Sequence, residues 1–176
     1  MNLVVTTLAI SVVLLSGCAA SVQKSAAKDP LNTTSNSARH ITLNVTGPDQ
    51  ITKSADWEQL KGEWRAGMQA AASSIGAKFS AQEGKPKPTG EAGTLVVVNV
   101  NDYRYISPGA RYGFGVMTGN AYIDSSVQFR DMNTGTLLGQ RTYNTSSSAW
   151  QGIFSAMTEK QIQSITSEIA SEIKAK

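Results

Sequence analysis

The sequence predicts an α+β domain, a mixed or mostly antiparallel sheet of about five strands with two helices packed on one face. Three observations predict it. Stretches that alternate apolar and polar residues recur from Ile41 onward, two segments carry apolar residues at helical spacing, and Gly, Pro, Asn or Asp falls at the junctions between them. The 176 residues are 40% hydrophobic and 16% charged, which suits one ordinary hydrophobic core.

The first strand is read from Ile41-Thr42-Leu43-Asn44-Val45-Thr46, a clean alternation closed by Gly47-Pro48-Asp49. A helix is predicted from about Ser54 to Ile75, because Trp57, Leu60, Trp64, Met68, Ala71 and Ile75 recur at steps of three and four. Ser54 suits its N-cap, Asp56 and Glu58 suit the positive end of its dipole, and Gly76 suits its stop. Its two tryptophans read first as core and second as an interaction surface. A short run at Phe79 suggests another strand, followed by a loop from Gln82 to Gly93. Leu95 to Val100 is apolar without a break, the pattern of a strand buried on both faces, and it continues to Ile106. From Ala121 to Phe129 every second residue is apolar or small, Asp131 to Gly135 reads as a hairpin turn, and Thr136 to Thr145 returns. The last helix is read from Thr158, with Gln161 completing a capping box and Ile162, Ile165, Ile169 and Ile173 on one face.

The N-terminus carries address information. Leu3 to Leu15 is apolar or small apart from Thr6, Thr7 and Ser11. A stretch of roughly 13 such residues is too short to span a bilayer but fits a signal-peptide core. It runs into Leu15-Ser16-Gly17-Cys18, which resembles the lipobox of bacterial lipoproteins; the resemblance implies cleavage between Gly17 and Cys18 and lipidation of Cys18. The Met1-Asn2 start departs from the usual pattern in having no Lys or Arg. Ala19 after the Cys implies, by resemblance to enterobacterial sorting, the periplasmic face of the outer membrane. The expected organisation is thus a signal peptide over 1–17, a lipidated Cys and flexible tether over 18–40, and a single periplasmic domain over 41–176. A tether of about 22 residues has an end-to-end distance of roughly 26 Å.

Two short patterns point to a family. Arg111-Tyr112-Gly113-Phe114-Gly115, and Asp131-x-x-Thr134-Gly135 between two strands, resemble a family of uncharacterised bacterial lipoprotein domains. The order of elements over about 41–174 also resembles the anchored accessory domains of curli-secretion, peptidoglycan-synthase-activator and TolB amino-terminal type. Both resemblances imply an accessory role in the envelope exercised through protein contacts, and neither implies a catalytic residue.

The residues themselves argue against most chemistry. One Cys and one His exclude an internal disulfide and any site needing two thiols or two imidazoles. A formal charge of +3 is too small an excess to argue for nucleic acid. The glycines from Gly113 to Gly119 run into a strand pattern, whereas a phosphate-binding loop opens a helix. Three Ser-x-x-Lys matches, at Ser21, Ser25 and Ser171, fall in the tether or at the end of the last helix. Asp102, Asp124 and Asp131 are the carboxylates from which a glycan-cleaving pair would have to come. His40 reads as a solvated side chain at the domain junction. Ala149 to Phe154 fits either packing beneath the last helix or a docking loop.

The reading is therefore of a non-enzyme with no catalytic, cofactor-binding or metal-ligating residues. It is held to a membrane by its lipid and binds another envelope component, with a peptidoglycan- or glycan-binding protein or hydrolase as the alternative. Its candidate interaction surface is Tyr103, Arg104, Tyr105, Arg111 and Tyr112, within a wider set that includes Tyr122, Arg130, Arg141 and Tyr143. Tyr and Arg are enriched at interfaces, and they are also ordinary residues of an outward strand face.

Overall fold

A computed structural model describes residues 21–25, 30–105, 120–146 and 157–174. Its elements are β1 (Ser21–Lys24), β2 (His40–Thr46), α1 (Asp49–Thr52), α2 (Trp57–Ser74), β3 (Lys78–Gln82), β4 (Thr94–Arg104), β5 (Tyr122–Asp131), β6 (Leu137–Ser146) and α3 (Met157–Lys174). The strands form one six-stranded sheet in the order β1-β6-β5-β4-β2-β3. β3, β2 and β4 run parallel, while β4, β5, β6 and β1 pair antiparallel, so the sheet is mixed. The parallel half follows from α2, which carries the chain from β2 to β3.

The core lies between the sheet and the two long helices. Ile41 and Leu43 of β2, Val96, Val98 and Val100 of β4, and Ile123, Val127 and Phe129 of β5 face Leu60, Trp64 and Met68 of α2 and the four isoleucines of α3. Both tryptophans of α2 are buried, which assigns them to the core. The helices pack tightly at Gly67, where an added Cβ would lie 3.1 Å from Thr166 Oγ1 and 3.2 Å from Ile162 Cγ2.

On the other face, Leu95, Val97 and Met132 make a small second apolar cluster. The 83–93 segment lies on this side. Asn44 Nδ2 donates to Gln82 O and Gly84 O at 3.1 Å each, and the Thr89 N–H donates to Met132 O at 2.9 Å. This second cover is why β4 is apolar on both faces, as its unbroken Leu95–Val98 run predicts. The hairpin turn forms where expected. Asp131 Oδ1 accepts from the Asn133 and Thr134 N–H groups and the Thr134 hydroxyl, and Gly135 takes a φ of +78°. Bonds led by the Thr134 N–H hold the Asp131 carboxyl below its usual range.

Four expectations are corrected. The stretch read as a flexible tether is, in its described residues, part of the fold: β1 pairs with β6, and Leu31 is 3% exposed. Leu31 sits where Gly139 has no side chain, since a Cβ there would come within 2.4 Å of Leu31 Cδ2. Ser54 does not cap α2; the helix begins at Trp57, and Ser54 Oγ donates to Ile51 O after the short α1. Gln161, read as half of a capping box with Thr158, instead donates its Nε2 to Ala121 O at 3.0 Å across to the sheet. His40 is not simply solvated: its ring contacts Ser80 Oγ at 2.9 Å and Glu91 Oε2 at 3.1 Å.

The helix crossing gives a paired test. Gly67→Val should destabilise the domain by about 1–3 kcal/mol through overpacking. Gly62→Ala, on an open part of the same helix, should stabilise it by about 0.4–1 kcal/mol. Urea denaturation of both variants against the parent checks the contrast.

Candidate functional site

One irregularity in β4 shapes the end of the sheet. Val100 pairs with Ser125 and Asp102 with Asp124, leaving Asn101 as the extra residue of a bulge. Before it, even-numbered residues of β4 face the helices. After it, Tyr103 aligns with the core residue Ile123, and the odd-numbered ones do. The bulge puts Asn99, Asn101, Asp102 and Arg104 together on the face away from the helices, beside Tyr122, Asp124 and Ser126 of β5.

That face is polar and internally bonded. Asn99 Nδ2 donates to Asn101 Oδ1 at 2.7 Å, and Asn101 Nδ2 donates to Ser126 Oγ at 3.0 Å and Asp124 Oδ1 at 3.3 Å. Asn144 of β6, in the amide orientation that satisfies its neighbours, donates to Asp124 Oδ1 at 2.7 Å. The Tyr122 hydroxyl donates to Asp102 Oδ2 at 3.0 Å, and this bond follows burial among the causes that raise the Tyr122 pKa. Asp102 and Asp124 are direct cross-strand partners, an arrangement of like charges that costs stability unless neighbours donate to both, as they do here.

The sequence-derived surface is divided by this geometry. Arg104 is exposed on the polar face. Tyr103 and Tyr105 instead pack against the core from the helix side. The Tyr103 hydroxyl donates to Asp56 Oδ1 and touches Ser54 Oγ, and Tyr105 is hydrogen-bonded to Glu63 of α2. Burial, then the Asp56 bond, pushes the Tyr103 pKa up to about 12; burial, then the Glu63 charge, does the same for Tyr105. Glu63 is itself raised, chiefly by burial and then by Glu159. Arg111 and Tyr112 lie outside the described residues, as do Gly17, Cys18, the glycines from 113 to 119 and the 149–154 stretch.

Two features escape sequence reasoning. One is the asparagine network, whose signal is the Asn-Val-Asn-Asp run at 99–102 that interrupts a strand apolar on both faces. The other is an ion cluster beneath the N-terminal segment. Arg141, only 6% exposed in its side chain, contacts Glu172 through Nε and, at 2.9 Å, through Nη2. Lys24 of β1 reaches the same carboxylate at 2.6 Å. Burial opposes ionisation of Glu172, yet hydrogen bonds from Arg141 and Lys24 hold its pKa below the usual range. A cleft of about 260 Å³ beside this cluster is lined by Lys24, Pro30, Leu31, Thr33, Glu168 and Glu172. Arg141 and Tyr143 are thus buried and not part of an outward surface. Among the described residues no group of three or more His, Cys, Asp or Glu side chains is placed to hold a metal, and no helix is long and apolar enough to cross a membrane.

Neither the family models nor the curated proteins contain a match. Among solved structures, the fold is similar to that of the PelC dodecamer from Paraburkholderia phytofirmans. The TM-score is 0.54 at 12% identity, covering 89% of this chain and 98% of that one. A single-substitution variant of the same protein gives 0.53 at 12% identity, over 88% and 96%. A Xanthomonas campestris protein of the DUF330 family is similar at 0.45 and 11% identity, over 74% of this chain and 81% of that one. At such identities the likeness is one of fold.

The ion cluster has a pH signature. A carboxyl whose folded pKa lies below its ordinary value of 4.5 stabilises the fold above that value and loses the contribution as pH falls through the folded pKa. Glu172→Gln should therefore be clearly less stable than the parent at neutral pH, and the gap should narrow progressively below pH 4.5. Thermal unfolding of both proteins across that range measures it.

Proposed function

We propose that this chain is a lipid-anchored protein of the bacterial cell envelope, held at the periplasmic face of the outer membrane through Cys18. We further propose that its domain is a non-enzymatic accessory unit that binds another envelope component. The observation that carries the binding role is the polar face of β4, β5 and β6. It presents Asn, Asp, Ser and Arg side chains in fixed positions on a rigid sheet, the kind of preorganised surface that loses little entropy on association. The lipobox at Leu15–Cys18 supports the anchor, and a strand beginning three residues after Cys18 supports a domain held close to it. The likeness in fold to a protein solved as a dodecamer supports further copies of the same chain as the first partner to look for.

A second reading is favoured by the same face. Asn, Asp and Gln side chains flanked by Tyr122 suit the hydroxyls of a glycan, so peptidoglycan is the alternative partner, bound or cleaved. The two readings separate in the cell. A photo-crosslinking residue at Ser126 or Gln128, in the full lipidated chain, should yield a discrete protein adduct, and one at Gln163 on the outer side of α3 should not. Both adducts should vanish in Cys18→Ala. Equal labelling from the sheet and helix positions would refute the assigned face. Retention of the purified chain on sacculi, lost in Arg104→Ala, would replace the protein partner with a glycan.

A further inference from the structure

The register of the antiparallel half aligns four strand tips. Ser21 of β1 pairs with Ser146 of β6, Ser146 pairs with Tyr122 of β5, and Tyr122 pairs with Arg104 of β4. Neighbouring strands are spaced by about 4.8 Å, so this row is roughly 14 Å wide. β2 pairs with β4 only as far as Asn99, which leaves the end of β4 with Arg104 projecting beyond the parallel half of the sheet. The asparagine bulge supports this extension, since it lets Tyr103 fasten the outer part of β4 to the start of α2.

Covalent reach ties this tip to the anchor. Ser21 is three residue steps from Cys18, and a chain spans at most about 3.5 Å per residue, so Cys18 lies within roughly 10 Å of Ser21. The headgroup region of a bilayer is only about 5–7 Å deep. We infer that the tip formed by Ser21, Ser146, Tyr122 and Arg104 is the end of the domain that faces the membrane, with the Arg104 guanidinium and the Tyr122 ring against phospholipid headgroups. This rests on the anchor at Cys18 proposed above. Arg104 is exposed and suited to phosphate, and a Tyr with an apolar ring and polar tip suits the interface. Asp102, beside them, keeps one carboxylate oxygen on the Tyr122 hydroxyl and the other on the Tyr103 N–H. The Asn133–Thr134 turn then lies about 34 Å away along β5, at the end remote from the membrane.

The orientation can be read with one thiol at a time, because Cys18 is the single Cys of the chain and lipidation consumes it. The lipidated protein would be reconstituted in phosphatidylethanolamine–phosphatidylglycerol vesicles with a fluorophore at Arg104→Cys, Tyr122→Cys or Asn133→Cys. Contact quenching by a headgroup-labelled lipid should be at least several-fold stronger at positions 104 and 122 than at 133. Equal quenching at all three, or the strongest at 133, in a vesicle-bound chain would overturn the orientation and leave the anchor intact. A free thiol on the membrane-fraction parent protein would overturn the anchor, and the orientation with it.

Discussion

The bulge at Asn101 is the constraint on which the outer half of the sheet depends. A β-strand alternates its side chains strictly, so Val96, Val98 and Val100 commit the even positions of β4 to the helix side. Continued without interruption, that phase would send Asp102 and Arg104 into the helices and Tyr103 and Tyr105 out to solvent. One extra residue reverses the phase. The two tyrosines turn inward to close the end of the core, while the charged residues turn outward. The cost is a broken ladder at Asn101, offset by side-chain bonds to Asn99, Asp124 and Ser126. The polar network is therefore the support of the bulge as well as the chemistry of the face.

A second constraint acts at the other edge. β6 is the outermost strand of the hairpin, and its inward positions include Arg141 and Tyr143. A buried guanidinium needs a partner, and Glu172 of α3 provides one in a bidentate arrangement. Lys24 completes the cluster only when β1 is on the sheet. Leu31 fills the space left by Gly139, and the Asn32 N–H donates to Leu138 O. The N-terminal segment thus covers the edge of a sheet that would otherwise expose an unpaired strand.

The parts of the fold governed by burial were legible in the residues. The α2 stripe, the doubly apolar β4, the alternation of β5, the Asp131 turn and the isoleucine face of α3 each follow from one-dimensional periodicity, and each forms. Features set by pairing across the sheet were not legible. β1 has no apolar pattern of its own and exists because β6 offers an edge. Ser54 and Gln161 carry the right residue types for caps, but Ile51, Tyr103 and Ala121 supply them other bonds. For the site, residue type alone groups Tyr103, Arg104 and Tyr105, and only the inserted residue at Asn101, which no linear alternation announces, separates an exposed Arg104 from two tyrosines packed on the core. Asn-Val-Asn-Asp was the available hint, since paired asparagines inside an apolar strand have to find partners.

The same cross-sheet pairing changes how an anchored domain of this kind has to be pictured. With a tether of about 22 free residues, roughly 26 Å of slack would let every face of the domain meet the membrane in turn. With β1 in the sheet the free span shrinks to about 10 Å, less than the length of the domain along β5. Orientation then becomes a property of the sheet register, not of any strong affinity for lipid. In the proposed orientation the polar face of β4, β5 and β6 would stand on edge above the bilayer, open to a partner approaching along the membrane plane. Strengthening β1 pairing keeps that face presented. If the chain is anchored at Cys18 as proposed, breaking the Lys24–Glu172–Arg141 cluster would loosen β1 and return slack to the tether.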